Sequence, residues 1–381
     1  MKKNIMVVDD SALMRRALCD IINADDSFTV VDMARDGLEA YDKIKANNYD
    51  AIVLDINMPR MNGLELLRKL HTEHIDVVVI VASTLTKAGS KETFEALSLG
   101  AVDFVTKPEN IIEARGGSFT SDLTKVLRAV LKVDTFKAEP TTSRPPSTEP
   151  KAPVREIKIP ETTKPILNAA QVKRDIEAGV PKVSPVKPGN KLIALACSTG
   201  GPKSLQEVIP FLPKGMNAPM VLVQHMPPGF TKSMAERLDE ISEVTVKEAE
   251  EGDVLKVGHV YVAPGGKHLQ VIKKPTGDHV VHLDDSPPIG GLKPCADIMY
   301  SSLKGSTFDE IVCVVLTGMG ADGTKGITDL NGSKKIFTIS QDEVTSVVYG
   351  MPRAIRAAGL SNVVVPLQEV ASTIIMNVGV R

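Results

Sequence analysis

A proline-rich segment divides this chain of 381 residues and limits what it can fold into. Ten of the 25 prolines lie between positions 134 and 190, with Thr, Lys and Glu filling most of the spaces between them. Such a segment cannot bury enough apolar surface to offset the entropy lost on ordering it, so it is typical of a flexible linker. A short helix at 166–178 is the one element we expect inside it. The sequence therefore predicts two domains, at 1–125 and 191–381, joined by a linker at 134–190.

Both flanking regions alternate short apolar runs with helical patterns, which predicts α/β folds. In the first region the apolar runs are continuous, as in strands buried on both faces. Residues 12–22 and 64–70 place their apolar side chains on one helical face. This alternation predicts a doubly wound parallel sheet of about five strands, the flavodoxin-like arrangement. The predicted strands are residues 5–8, 30–34, 51–54, 77–81 and 102–105.

The second region predicts another parallel-sheet α/β domain, with a small antiparallel addition. Most of its apolar runs are followed by helical stretches. The span 254–281 differs because it holds only short β segments, at 259–263 and 269–272, and we interpret it as an antiparallel hairpin region. The strands predicted for the parallel sheet are residues 192–196, 220–223, 311–316 and 336–339.

The composition argues against several classes of function. The net charge is −2, aromatic residues make up 4% and there is no Trp, so neither electrostatic capture of nucleic acid nor base stacking is favoured. No helix-turn-helix pattern or basic stripe supports a transcription factor. The four cysteines form no C-x-x-C pair, which argues against a metal site or a disulfide framework and favours a reducing cytoplasmic setting. No apolar run is suited to a signal peptide or a membrane span.

Charged and polar residues stand where four strands of the first region end. Asp9 and Asp10 follow the first strand, Asp55 the third, Ser83 the fourth and Lys107 the fifth. Because the carboxyl ends of parallel strands meet in one crevice, we expect these side chains to converge. Three carboxylates would repel one another unless a cation joined them, and their oxygens suit Mg²⁺. Asp55 is then the candidate phosphoryl acceptor, Lys107 its ion partner and Ser83 its hydrogen-bonding sensor.

Three short motifs make the first region resemble the response-regulator receiver domain. They are Val-Val-Asp-Asp at 7–10, Asp-Ile-Asn-Met-Pro at 55–59 and Thr-Lys-Pro at 106–108. The resemblance covers roughly residues 1–125 and implies that Asp55 is phosphorylated, with a histidine kinase as the phosphodonor. It also implies that Mg²⁺ is bound by Asp10, Asp55 and the carbonyl of Asn57, with Asp9 nearby.

A serine, a histidine and an aspartate follow three apolar strands of the second region. Ser198 begins the turn Ser-Thr-Gly-Gly-Pro between a predicted strand and a helix, where its hydroxyl is exposed and backbone N–H groups can stabilise an oxyanion. His225 ends the next strand and is placed as a general base. Asp322 follows a later strand and could fix the tautomer of the imidazole. Each residue alone has an ordinary structural explanation, such as a helix cap, but together they predict a serine hydrolase.

Two rival interpretations use residues of the same motifs. The stretch 318–323 matches G-x-G-x-x-G, and Asp342 stands 19 residues beyond it, as in dinucleotide-binding proteins. Asp322 inside that stretch would repel a pyrophosphate, so a nicotinamide-dependent dehydrogenase is the weaker alternative. Cys197 is a competing nucleophile beside Ser198. Strand alternation points it the other way, and a small core residue is the favoured interpretation.

Five motifs of the second region resemble the chemotaxis protein-glutamate methylesterase family (CheB), over roughly 190–378. They are Ser-Thr-Gly-Gly-Pro at 198–202, Gln-His-Met-Pro at 224–227, Tyr-Val-Ala-Pro-Gly-Gly at 261–266, Thr-Gly-Met-Gly-x-Asp-Gly at 317–323 and Tyr-Gly-Met-Pro at 349–352, with Gln-Asp-Glu at 341–343 a further match. The resemblance implies that the Ser-His-Asp set hydrolyses γ-glutamyl methyl esters on the cytoplasmic helices of chemoreceptors. Backbone N–H groups near Thr199 and Met319 would bind the oxyanion, with no cofactor for the hydrolysis. Deamidation of receptor glutamines is implied as a second activity.

The combination of the two regions implies phosphorylation-controlled sensory adaptation. A tethered receiver could dock over the active site and exclude the substrate, and phosphorylation of Asp55 would release this block through Ser83. The implied partners are chemoreceptors and a histidine kinase, with no nucleic acid and no direct membrane insertion. The loop at 291–297 lacks the basic and serine residues usual in the family, so we expect it to affect substrate preference. A protein-interaction module is the alternative if the three side chains do not assemble.

Overall fold

The computed structural model describes residues 2–84, 86–108, 118–133 and 190–381. It contains two separate parallel sheets, one on each side of the proline-rich segment. That segment, with the helix expected at 166–178, lies outside the described residues except for its last position, and the domain boundaries stay predictions.

The N-terminal region is a five-stranded parallel sheet with helices on both faces, as the alternation of apolar runs predicts. The strand order is β2-β1-β3-β4-β5. Buried residues of the strands pack on both sides, against α1 and α5 on one face and against α2, α3 and α4 on the other. The elements are β1 Lys3–Val8, α1 Ala12–Asn23, β2 Phe28–Ala34, α2 Gly37–Ala46, β3 Ala51–Asp55, α3 Gly63–Thr72, β4 Val79–Thr84, α4 Lys87–Ser98, β5 Asp103–Lys107 and α5 Ser118–Val130.

Three strands of this sheet end later than the sequence predicts: β3 by one residue, at Asp55, and β4 and β5 by two or three. Ser83 pairs with Thr106, and the next pair joins the last residues of β4 and β5, so both strands extend past the apolar runs at 77–81 and 102–105. Ser83 and Lys107 therefore lie within strands, whereas the sequence places both after the apolar runs that predict those strands. Backbone hydrogen bonding between neighbouring strands continues where the apolar pattern stops, which is why the pattern alone ends them early.

The C-terminal region is a seven-stranded parallel sheet of order β14-β13-β12-β6-β7-β9-β8. The central strands β12, β6 and β7 are buried over nearly their whole length, which explains their uninterrupted apolar sequences. The elements are β6 Lys191–Cys197, α6 Gly201–Val208, β7 Met220–Gln224, α7 Phe230–Ile241, β8 Thr245–Glu248, β9 His259–Val262, β10 His268–Lys273, β11 His279–Asp284, α8 Ala296–Ser302, β12 Glu310–Val315, α9 Thr324–Asn331, β13 Ile336–Gln341, α10 Met351–Ala357, β14 Val363–Val365 and α11 Leu367–Val378.

The antiparallel addition is a hairpin of β10 and β11, so the predicted hairpin region is confirmed. The segment at 259–263 behaves differently from that prediction. It forms β9, which joins the main sheet and runs parallel to both β7 and β8. Sequence pattern cannot tell a short edge strand of a parallel sheet from one arm of a hairpin, because both are brief apolar runs next to turns.

The two regions pack against each other through α4 and β5 of the first and α6 and α7 of the second. The rings of Phe104 and Phe230 stack with centroids 4.7 Å apart. The hydroxyl of Ser98 donates to the side-chain oxygen of Gln206 at 2.5 Å. No helix among the described residues is both long and apolar enough to cross a membrane.

Candidate active site

The turn at 198–202, which we call the nucleophile turn, starts where β6 ends. Strand β6 lies at the centre of the sheet, between β12 and β7. The N–H of Ser198 donates to the carbonyl of Thr317 at 3.0 Å, and the Thr317 hydroxyl donates to the carbonyl of Thr199 at 2.9 Å. Gly200 has φ 75°, a left-handed conformation that turns the chain into α6. A Cβ at Gly201 would collide with the side-chain oxygen of Gln224, so a larger residue there would displace that side chain. These contacts fix the serine at the carboxyl edge of the sheet.

His225 and Asp322 form a close pair at the same edge. The Nε2 atom of His225 lies 2.7 Å from Oδ2 of Asp322, and both side chains are more than nine-tenths buried. Burial raises the pKa of Asp322, but hydrogen bonds from His225 and from the backbone N–H groups of Ala296 and Asp297 outweigh it and lower that pKa to about 2. The carboxylate is therefore ionised at neutral pH. It holds the proton on Nε2 of His225 and leaves Nδ1 as the basic nitrogen.

Ser198 and His225 line one cleft of about 980 Å³, although no hydrogen bond joins their side chains in the described structure. Catalytic hydrogen bonds of this kind are often long in the absence of substrate. The amide of Gln224 donates to the carbonyl of Ser198 at 3.0 Å and to that of His225 at 3.1 Å. Gln224 thus ties the nucleophile turn to the strand that carries the base. No role for Gln224 was predicted from the sequence, although a glutamine that ends an apolar strand was the available signal.

Two backbone N–H groups are free to bind an oxyanion. Thr199 and Met319 both line the cleft, and within the described residues neither N–H has a hydrogen-bond acceptor. The neighbouring N–H of Gly318, by contrast, donates to the carbonyl of Val348 at 3.0 Å. Unsatisfied donors beside a nucleophile are the arrangement that stabilises a tetrahedral intermediate.

The geometry disfavours both rival interpretations. Cys197 is fully buried, its Sγ lies 3.9 Å from the carbonyl of Val223, and burial raises the pKa of its thiol, so it neither faces the cleft nor ionises readily. In the glycine-rich stretch, a Cβ at Gly318 would lie 2.9 Å from the Cβ of Ser198. This glycine is therefore required by the approach of the nucleophile turn. The carboxylate of Asp322 is already occupied by hydrogen bonds.

The loop predicted to affect substrate preference divides into two parts. Leu292 and Lys293 line the cleft, where they can contact a substrate. Cys295 and Asp297 instead turn inward onto Asp322. The sequence predicts that this whole loop contacts the substrate. It does not reveal the inward contacts, because the apolar pattern does not show which loop packs on Asp322.

The acidic cluster of the N-terminal sheet also assembles. Carboxylate oxygens of Asp9, Asp10 and Asp55 lie within 4.8 Å of one another. The ammonium of Lys107 lies 2.5 Å from Asp9 Oδ2 and 2.8 Å from Asp55 Oδ2. Asn57 is exposed and donates its backbone N–H to Asp55 Oδ1 at 3.4 Å. Asp10 is exposed as well, so the cluster opens to solvent on the side where a hydrated cation would enter.

Burial in this cluster raises the pKa of Asp55, and the ammonium of Lys107 only partly offsets that effect. An oxygen-rich set with a partly uncompensated buried carboxylate fits a small divalent cation. Ser83 is buried in β4, and its hydroxyl donates to the carbonyl of Gly89 at 3.1 Å. This contact joins the strand next to Asp55 to the first turn of α4, the helix that packs on the C-terminal region.

The fold and the two clusters define a class: a receiver domain packed on an α/β domain whose nucleophile turn and His–Asp pair are those of a serine hydrolase. Residues 193–374 match the family model of the CheB methylesterase, and residues 5–115 match that of the response regulator receiver domain.

Two full-length relatives give the same result. The protein-glutamate methylesterase/protein-glutamine glutaminase 1 of Syntrophomonas wolfei is 40% identical over 98% of this chain and 99% of its own length. The protein-glutamate methylesterase/protein-glutamine glutaminase of Bacillus subtilis is 40% identical over 97% of each chain. The crystal structure of the Thermotoga maritima CheB methylesterase catalytic domain is 41% identical and covers 50% of this chain and 98% of that one, with a TM-score of 0.46. The chain belongs to the CheB methylesterase family and is an enzyme with a receiver domain.

Proposed function

We propose that this enzyme hydrolyses glutamate methyl esters on chemoreceptors and deamidates specific receptor glutamines. The His225–Asp322 pair at 2.7 Å, in one cleft with Ser198, is the observation that carries this proposal. The substrate class follows from the two relatives, which are protein-glutamate methylesterases/protein-glutamine glutaminases. The hydrolytic chemistry follows from the residues of the cleft. Domains at 1–125 and 191–381, joined by the linker at 134–190, belong to the same proposal.

The reaction begins with attack by Ser198 Oγ on the ester carbonyl. Nδ1 of His225 takes the hydroxyl proton, and the negative charge of Asp322 stabilises the imidazolium that results. The N–H groups of Thr199 and Met319 bind the oxyanion, each contributing about 3 kcal/mol in the transition state. Methanol leaves with a proton from His225, and water then cleaves the acyl-enzyme by the same steps. A glutamine amide would follow this course with ammonia as the leaving group.

We infer that the receiver controls this reaction through phosphorylation of Asp55 by a histidine kinase. Residues that would hold Mg²⁺ are Asp10, Asp55 and the carbonyl of Asn57, and the bound ion would offset the charge of the entering phosphoryl group. Lys107 would pair with the phosphoryl oxygens, as its position 2.8 Å from Asp55 allows. A cytoplasmic location fits a kinase partner and four cysteines that are all free and buried.

The proposed control is steric and is supported by the residues around the cleft. Phe104, Lys107 and Phe119 of the receiver line the same cavity as Ser198 and His225. A receptor helix could not reach Ser198 past them. A phosphoryl group on Asp55 would change the surface of α4 and β5 through Ser83 and favour the undocked state. Phosphorylation would thereby switch on demethylation, the step that produces sensory adaptation.

Methanol release from methylated receptor membranes tests the esterase proposal. The intact chain should release methanol, faster with a small phosphodonor, and Ser198→Ala should release none. Ser372→Ala is the matched control, because this exposed hydroxyl bonds only to the backbone of its own helix. If the folded intact chain releases no methanol in either condition, or if Ser198→Ala matches Ser372→Ala, the proposed function is wrong.

A further inference from the structure

Two helices cap each other around the carboxylate of Asp322. Oδ2 of Asp322 accepts the N–H of Ala296 at 2.7 Å, and Oδ1 accepts that of Asp297 at 3.0 Å, so the carboxylate sits on the first turn of α8. In return, Oδ1 of Asp297 accepts the N–H of Gly323 at 2.9 Å and that of Gly326 at 2.7 Å, on the first turn of α9. This reciprocal capping fixes the backbone on both sides of Asp322.

The thiol of Cys295 is the only side chain besides His225 that hydrogen-bonds to Asp322 among the described residues. Its Sγ lies 3.2 Å from Oδ1, whereas His225 lies on Oδ2. Cys295 is 1% exposed, and burial together with the charge of Asp322 raises the pKa of its thiol to about 12. The sulfur therefore keeps its proton at neutral pH and donates it. Because the thiol of Cys295 donates to Oδ1 of Asp322, Oδ2 stays directed at the imidazole of His225.

Two simpler explanations of this contact fit less well. Cys295, Asp297 and Asp322 are close enough to hold a metal ion. The Oδ1 atoms of Asp322 and Asp297 each already accept two backbone N–H groups, however, and so have little capacity left for a cation. Packing alone would also bury a cysteine, but it does not require the sulfur to meet a charged oxygen at hydrogen-bond distance.

We propose that Cys295 is a positioning residue of the hydrolase, whose thiol holds Asp322 Oδ1 so that Oδ2 stays aligned with Nε2 of His225. This rests on the proposed Ser-His-Asp chemistry and adds a fourth side chain to it. Without the thiol, Oδ1 keeps only backbone donors, so the carboxylate is less well stabilised as an anion and attracts the imidazolium more strongly. The enzyme then needs a higher pH to release its catalytic base, and the carboxylate aligns the imidazole less well.

The test compares Cys295→Ala, Cys295→Ser and Cys313→Ala in the intact chain. Cys313 is the matched control because it is a fully buried thiol of the same domain that interacts with Thr338, and among the described residues no hydrogen bond joins it to the triad. We expect Cys295→Ala to lower kcat/KM for methanol release about three- to tenfold and to move the acid limb of its pH profile upward. Cys295→Ser restores a donor, so it should recover most of the rate and the profile of the wild type. Cys313→Ala should keep the wild-type pH profile.

The ¹H–¹⁵N NMR signal of the His225 Nε2–H reports the same contact without any substrate. It should shift in Cys295→Ala, return toward the wild-type position in Cys295→Ser and stay in place in Cys313→Ala. An unchanged signal in folded Cys295→Ala overturns the proposal, as does a loss of rate that follows unfolding temperature equally in all three variants. If the signal shifts but the wild type releases no methanol, the positioning role holds and the proposed substrate is wrong.

Discussion

Replacing Asp103 by Asn should make the unphosphorylated enzyme less active. Asp103 begins β5 and is buried where the receiver meets the active-site turn. Its carboxylate accepts the N–H of Gly200, across the interface, at 3.2 Å and the N–H of Phe104 at 2.9 Å. Burial raises the pKa of Asp103 from 3.8 to about 7, and the hydrogen bonds from these two N–H groups only partly oppose this. Because one of the two donors belongs to the other domain, we expect undocking to return the carboxyl to solvent.

The ionised Asp103 therefore opposes docking. A difference of about three pH units between the two states corresponds to about 4 kcal/mol of penalty on the docked state above neutral pH. Asparagine removes this penalty but has one oxygen for two N–H donors, so it forfeits a hydrogen bond that is worth about 1 kcal/mol. The net change still favours docking by about 1–3 kcal/mol, which corresponds to a fall in basal activity of about 5- to 140-fold.

The pH dependence follows from the direction of this shift. The pKa is raised in the docked state, so docking is strongest below the undocked pKa of 3.8 and weakens as the pH rises through about 7, above which it levels off. The rate of methanol release by the intact chain, divided by that of the fragment 190–381, should rise over this interval in the wild type. It should be nearly flat in Asp103→Asn. Dividing by the fragment cancels the titration of the catalytic groups themselves.

The control is Asp42→Asn, since this exposed aspartate of α2 lines neither the cleft nor the interface. Its basal activity and its pH-dependent ratio should match those of the wild type. Equal or higher basal activity in Asp103→Asn would refute the reasoning. It would mean that the contact with Gly200 holds the receiver in place more strongly than burial of the charge opposes it.

Three further variants probe the two clusters. Asp322→Asn should lower the rate of methanol release by about 10³- to 10⁴-fold, because the amide neither fixes the proton on Nε2 of His225 nor stabilises the imidazolium; a loss of less than tenfold would contradict the triad. Asp55→Asn should abolish both acid-labile phosphoryl labelling and stimulation by a small phosphodonor, and full labelling of this variant would exclude Asp55 as the acceptor. Lys107→Ala should reduce the free energy of unfolding by about 3 kcal/mol near neutral pH without Mg²⁺, since Asp9 and Asp55 lose their cation. This loss should shrink at low pH, where the carboxyls bind protons, and a pH-independent loss in urea titrations would contradict it.

The sequence alone predicted the two α/β regions, the five strands of the receiver sheet, the central strands of the second sheet and the candidate groups on the sheet edges. The continuous apolar runs could only be strands covered on both faces, and the residues after them had to meet at one edge. Ser198 and His225 lie at the ends of the neighbouring strands β6 and β7, and Asp9 and Asp55 lie at the ends of the neighbouring strands β1 and β3. Both sites could therefore be predicted from where the strands end in the sequence. The spacing of residues within a motif and the position where a buried strand ends can both be read from residues that are adjacent in the chain.

Contacts between segments distant in the chain were decided only by the tertiary structure. The inward turn of Cys295 depends on α8 packing beside α9, and the burial of Asp103 depends on the receiver docking at Gly200. Neither residue belongs to an apolar pattern that marks its partner. Their roles come from desolvation and from single hydrogen bonds, whose strength is set by what lies within a few ångströms in space and not by what is adjacent in the chain.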